Sequence, residues 1–432
     1  MMNNRNAKRL LVVGSLPWFA DSFRIFSELG FESAFVRTDA PLHPWFAPTF
    51  DLLKSIGFKE IGNTDREILE YLGAADCSII ISGGEFFPPG AYLEGGDSVK
   101  KLELFRDITS LARKHKLTAF CVRFNNGETY FTNHATCRFY ASCLKDLDLL
   151  LFDTQPLVDY VLYNCPELAS LPRAVALMES PLERFFTSAV DRPISQRLLL
   201  LGRMIAGEQA LSPFGRGFRY RIKEFLKSRL PLNVVSLVAK RSAIGRDPGG
   251  QPVFSLFYPV LTPTHPAGLA PDLDRVDRAR RTLVAECGNC IGGISHFYDF
   301  PWNAGPASTL EEKFGFGAQT TIRANHQRYG WPALMRRTNV ASKITMYLMM
   351  GIPPVVPDDP DQPVTALLKP LNMCFAVGVE DKAWQNELVS EATIRAKRLA
   401  VFQNAKMFAF ERVIEALDQA IEKSWGYRLF RK

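Results

Sequence analysis

Short apolar runs alternate along this chain with longer stretches whose apolar residues recur at helical spacing. That alternation predicts an α/β fold with parallel sheets, whose buried strands read as near-continuous apolar runs. In the first half, strands are expected over residues 9–13, 33–36, 77–82, 117–124, 147–152 and 174–178. Helices are expected between them, over 19–29, 65–72, 98–115 and 155–164. The series restarts at 197–201 and continues at 233–238, 254–258, 290–294, 354–356 and 374–377. Helices over 218–229, 273–286 and 342–350 accompany this second set. From 383 to 423 the pattern is helical with a break near Gln403 and Asn404, and Phe410, Val413, Ile414, Leu417 and Ile421 share one face.

The two α/β halves meet in the stretch 181–197. In open α/β sheets the loops after strand C-termini form the ligand crevice. In the first half those loops are 14–17 (Gly-Ser-Leu-Pro), 83–85 (Gly-Gly-Glu) and 125–128 (Asn-Asn-Gly-Glu). Residues 245–272 are rich in glycine and proline and read as an irregular surface excursion.

At 432 residues the chain is too long for one ordinary core, which agrees with two domains. With 47% hydrophobic and 22% charged residues, it is neither disordered nor membrane-spanning in composition. No apolar run approaches the ~20 residues of a transmembrane helix, and the run after Arg9 is too short for a signal-peptide core. A cytoplasmic location is therefore expected. The net charge of +7 suits anionic substrates or an anionic membrane surface and falls short of a dedicated nucleic-acid binder. The eight cysteines are scattered and read as buried thiols; Cys287 and Cys290 form a lone CxxC without the second pair that a structural zinc site needs. No metal site is expected. The tail 425–432 mixes aromatic and basic residues, suiting either a membrane interface or a frayed terminus.

The most informative segment is 341–356, Ala-Ser-Lys-Ile-Thr-Met-Tyr-Leu-Met-Met-Gly-Ile-Pro-Pro-Val-Val. It predicts a short helix stopped by Gly351 and followed by a buried strand. Lys343 lies in the first turn, where unpaired backbone N–H groups and the helix dipole favour an anion. It is expected to face a cleft with little packing. The alternative is a core helix feeding a core strand, with Lys343 a solvated end residue.

This segment resembles the signature of GT-B glycosyltransferases, of the family 4 or group 1 type. Ser342, Lys343, Tyr347, Leu348, Gly351, Pro353, Val355 and Val356 match it. Residues 198–203, Leu-Leu-Leu-Leu-Gly-Arg, are similar to the strand that opens the family's nucleotide-binding domain. The resemblance implies two Rossmann-like domains facing across a cleft. These would be an acceptor-side domain over 1–185, a nucleotide-sugar domain over 186–404, and a helix and tail over 405–432 returning to the first domain. It implies a metal-independent hexosyltransferase, with Gly202, Arg203, Arg337, Ser342 and Lys343 binding the donor. The donor would be a nucleotide-sugar co-substrate, with no other cofactor. The acceptor would be a glycan or lipid-linked sugar, in cell-surface polysaccharide synthesis, with peripheral contact at the inner face of the membrane through the tail.

The chain departs from the family at two points. Met346 stands where the family has a glutamate that holds the donor ribose, and no lysine follows Arg203 closely. A catalytically silent GT-B-like protein is the second reading, and a nucleic-acid glucosyltransferase the third. Glycosyl transfer also needs a group near the acceptor hydroxyl. Glu85 and His134 are the chosen candidates, from a set that includes Asp21 and Glu128. Arg336 adds a further cation beside Arg337.

Overall fold

The computed structural model describes residues 8–13, 20–37, 47–73, 77–82, 97–115, 121–124, 138, 141–201, 233–237, 273–295, 340, 342–360, 362–378 and 383–430. Twelve strands among them form two wholly parallel sheets. One compact unit takes in the chain up to Met178 together with Phe410–Lys432; the other takes in most of what lies between.

The first unit is built on β1 (Lys8–Val13), β2 (Phe31–Val36), β3 (Lys59–Ile61), β4 (Cys77–Ser82), β5 (Cys121–Phe124), β6 (Leu149–Phe152) and β7 (Arg173–Val175). Their order is β3-β2-β1-β4-β5-β6-β7, reversing between β1 and β4. Lys8 lies opposite Phe31 on one side and Cys77 on the other. Leu10, Leu11, Val12 and Val13 are all buried, as a central parallel strand requires. Two elements were not expected: β3, a Lys-Glu-Ile edge strand, and the helix Ala47–Ser55.

The helix Glu411–Trp425 belongs to this unit, with Val413, Ile414, Leu417 and Ile421 buried. The Phe410 ring lies 5.2 Å from that of Phe23, and the Phe430 ring lies 5.7 Å from Phe31 and 6.1 Å from Phe26. Lys8 Nζ donates to the Leu429 carbonyl at 3.0 Å. The Asp418 carboxylate accepts from the Leu429 and Phe430 amides at 2.7 and 3.1 Å. Leu429 and Phe430 are buried, whereas Trp425 and Tyr427 are exposed. The tail is therefore docked rather than frayed, because its apolar ends complete an aromatic cluster.

The second unit holds β8 (Ser195–Leu201), β9 (Asn233–Leu237), β10 (Cys290–Ile294), β11 (Pro354–Pro357) and β12 (Phe375–Val377), in the order β12-β11-β10-β8-β9. The order reverses between β8 and β10, where the chain switches from building one side of the sheet to the other. The helical span after 383 has an additional break. Ala383–Val389 ends before Ser390, whose hydroxyl caps Glu391–Asn404 by accepting from the Thr393 amide at 3.3 Å. The strand expected at 254–258, the helix at 218–229 and the excursion at 245–272 lie outside the described residues.

Candidate functional site

The helix Ser342–Met349 runs into β11 through a glycine turn. Gly351 has φ +76°, its amide donates to Leu348 and the Ile352 amide donates to Tyr347, both at about 3 Å. This paired arrangement is a Schellman C-cap, which needs a residue free to adopt the left-handed region. A Cβ at Gly351 would also sit 2.6 Å from the Thr187 carbonyl oxygen and 2.7 Å from the Ala189 nitrogen. Thr187 in turn donates its amide to the Met349 carbonyl at 2.8 Å. The helix end is thereby locked to the segment that enters the second unit.

The other end of the helix reaches the sheet edge at the order reversal. Lys343 Nζ donates to the Leu201 carbonyl at 3.0 Å. One turn on, the Tyr347 hydroxyl accepts from the Leu201 amide at 2.9 Å and donates to the Ile294 carbonyl at 2.8 Å. Residues four apart share a helix face, so the pair closes on both polar groups of one residue. Leu201 and Ile294 end β8 and β10, so Tyr347 spans the two strands at their C-terminal ends. On the same helix, the Thr345 hydroxyl donates to the Glu179 carbonyl at 2.7 Å.

Lys343 is only 8% exposed, which overturns the expectation of a lightly packed, cleft-facing side chain. Its ammonium donates to a strand-end carbonyl, which offsets part of the cost of bringing a charge inside. Met346 is buried as well, at 4% exposure. Ser342 is the first helical residue. Gly202 and Arg203 follow Leu201 directly in sequence, but they lie outside the described residues, as do Glu85, Glu128, His134, Arg336 and Arg337. Asp21 is fully buried in the turn Ala20–Phe23. Sequence reasoning singled out Lys343 but gave Tyr347 no role; its place four residues after Lys343 was the available signal.

Two neighbouring features are structural. Arg398 is fully buried, donating from Nη1 to the Ala189 and Arg192 carbonyls and from Nη2 to those of Asn289 and Cys290, at 2.9 to 3.0 Å. Burial pulls its pKa down to about 10, so it stays charged at neutral pH. Cys287 and Cys290 are free and buried, and burial pushes their thiols up to about 12 and about 11. Such thiols stay protonated at neutral pH and are poor nucleophiles, since attack needs the thiolate. Among the described residues no group of three or more His, Cys, Asp or Glu gathers as a metal site.

No known family model and no curated protein matches the chain. Among solved structures it is similar to Anabaena Alr3699/HepE, solved in complex with UDP. The identity is 10% and the TM-score 0.48, over 98% of this chain and 100% of the other. Among the described residues no helix is long and apolar enough to cross a membrane.

Proposed function

We propose that the chain is a glycosyltransferase that moves a sugar from a nucleotide-sugar donor to a glycan or lipid-linked acceptor, in cell-surface polysaccharide synthesis. In this reading the second unit holds the donor, with its diphosphate at the C-terminal ends of β8 and β10. The first unit serves the acceptor, with Glu85 and His134 as candidate bases.

The observation that carries the reading is the double hold of Lys343 and Tyr347 on Leu201. It fixes a helix N-terminus and an ammonium beside the order reversal, where open α/β sheets take their ligands. As the bond from anomeric carbon to diphosphate oxygen breaks, negative charge grows on the leaving group. A cation already held in place stabilises that charge with little reorganisation. Gly202 and Arg203 come next in the chain after Leu201, and Arg203 and Arg337 would add planar, bidentate contacts to phosphate oxygens. The cations then do what a divalent metal does in other transferases. Trp425 and Tyr427, exposed beside Lys423, supply the aromatic and basic groups for peripheral membrane contact.

A buried Met346 favours a second reading, a GT-B-like protein that binds nucleotide without turning it over. The deciding experiment measures binding of UDP, GDP, ADP and CMP, and transfer or hydrolysis of their sugar forms, with wild type and Lys343→Met. Turnover of one donor, lost in Lys343→Met, supports the enzyme. Binding without turnover supports the silent protein, and no nucleotide binding at all sinks both.

A further inference from the structure

Arg37 follows β2 directly, at the C-terminal end of the first sheet. Val36, which ends β2, lies opposite Val13, which ends β1; Val13 in turn lies opposite Ser82, which ends β4. Arg37 therefore stands one strand away from the order reversal between β1 and β4, where open α/β sheets take their ligands. Its guanidinium is held by three groups. The Cζ atom lies 4.6 Å from the centre of the Phe50 ring and 5.9 Å from that of Phe35, and both rings are fully buried. Nε is buried and lies 2.8 Å from the Glu60 carboxylate on β3, which also pairs with Lys54 at 2.6 Å. Two cations thus share one carboxylate, and the cluster keeps one positive charge in excess. Neither Nη atom of Arg37 donates a hydrogen bond to a described residue, and the side chain is 38% exposed.

The rings and the carboxylate fix the guanidinium in place, while its two outer nitrogens keep their donors for a ligand. A planar fork held in this way grips a carboxylate or phosphate through two parallel bonds and loses little side-chain freedom in doing so. The place on the sheet agrees with that chemistry. In mononucleotide-binding α/β halves, an acidic side chain about 20 residues past the first strand takes a ligand hydroxyl, and an arginine nearby takes a phosphate. Arg37 occupies the corresponding place in the first unit. We propose that Arg37 is a specificity-determining residue that binds a negatively charged group, a phosphate or a carboxylate, on the acceptor. This rests on the reading of the first unit as the acceptor side, and it narrows the acceptor to an acidic one.

Two measurements test it on the full chain, with wild type, Arg37→Gln and Arg37→Lys. The first follows transfer from whichever donor is turned over to methyl glucoside, glucuronic acid and glucose 1-phosphate. The acids should be preferred in kcat/KM by about 10- to 150-fold, the range of one charge-assisted contact. Whichever of the two acids is favoured names the group. Arg37→Gln should abolish the preference, chiefly through the acceptor KM, and Arg37→Lys should keep part of it as a point charge. The second is calorimetric titration of the same three compounds in a Lys343→Met background, which weakens competition from a diphosphate site. Binding of an acid that disappears in Arg37→Gln is expected there, and it needs no turnover. If nucleotides do not bind but this acid binding holds, the transferase reading falls and the anion site stands. No Arg37-dependent binding of either acid, or an acid preference that survives Arg37→Gln, overturns the proposal and leaves the donor reading intact. A loss of urea stability in Arg37→Gln with the acid preference unchanged also overturns it, making Arg37 a cover for the Phe50 ring. Should Arg37→Gln not fold, Arg37→Lys decides, and an unchanged preference there overturns the proposal.

Discussion

The ring of Tyr347 packs against β10 at Gly293, leaving no room for a Cβ on that residue. The ring can reach both strand ends only because position 293 has no side chain. Gly293→Ala should therefore push the ring away and break both hydroxyl contacts together. Tyr347→Phe keeps the ring and loses the hydroxyl alone, at a cost of about 1–3 kcal/mol for buried groups left without partners. Urea unfolding should show Gly293→Ala as the more damaging change. A milder Gly293→Ala would mean that the ring does not depend on that glycine.

Lys343→Met keeps the aliphatic stem and removes the ammonium. Loss of the Leu201 contact should lower stability by about 1 kcal/mol. Donor turnover should fall further, by roughly 10- to 150-fold, as a lost charge-assisted phosphate contact requires. Lys343→Arg should rescue only part, because a planar fork fits a buried ammonium site poorly. Equal losses in stability and turnover would reduce Lys343 to a packing residue.

Met346→Glu places a carboxyl at a buried position. It would restore the acid of the GT-B signature, yet the burial predicts a loss of at least ~2 kcal/mol rather than a tighter donor site. A buried carboxyl is raised in pKa, so the deficit should grow as pH rises and the group must ionise. Thermal midpoints of variant and wild type should diverge more at pH 8 than at pH 5. A variant as stable as wild type at both would show that the position opens to solvent.

Burial raises four of the described thiols above an ordinary 9.0, and three of them strongly: Cys287 to about 12, Cys290 to about 11 and Cys374 to about 12. Folding holds their protons more tightly than the unfolded chain does. Their contribution to stability is fully present below pH 9 and is lost as pH rises through 11 to 12. The urea midpoint should fall across that window, and Cys374→Ala should make the fall shallower. At pH 8, iodoacetamide should leave all three unmodified in the folded protein.

The strands were legible where burial is complete, as in Cys290–Ile294, whose apolar run matches its observed bounds. β3 was not, because two of its three residues are charged and it pairs only along one edge. The break at Ser390 was missed although Ser390 and Thr393 spell a cap, because helical residues continue on both sides. Lys343 could be read as an anion contact but not as buried; its burial depends on a carbonyl 142 residues away in sequence. Arg398 shows the same limit. It shares the inward face with Ile394 and Val401, yet its four carbonyl partners come from segments about 100 to 200 residues distant.

The docked tail sets an order on how the molecule is made. Phe26 and Phe31 are synthesised early, but the Phe430 ring that packs on them follows some 400 residues later. At 5–20 residues per second, that delay is roughly 20–80 s of translation. From the synthesis of Val175 onward, the first sheet has all its strands while one wall of its aromatic cluster is still absent. The first unit to be translated is therefore completed only after the second has been synthesised, and a nascent chain leaves that apolar wall open to chaperones until then.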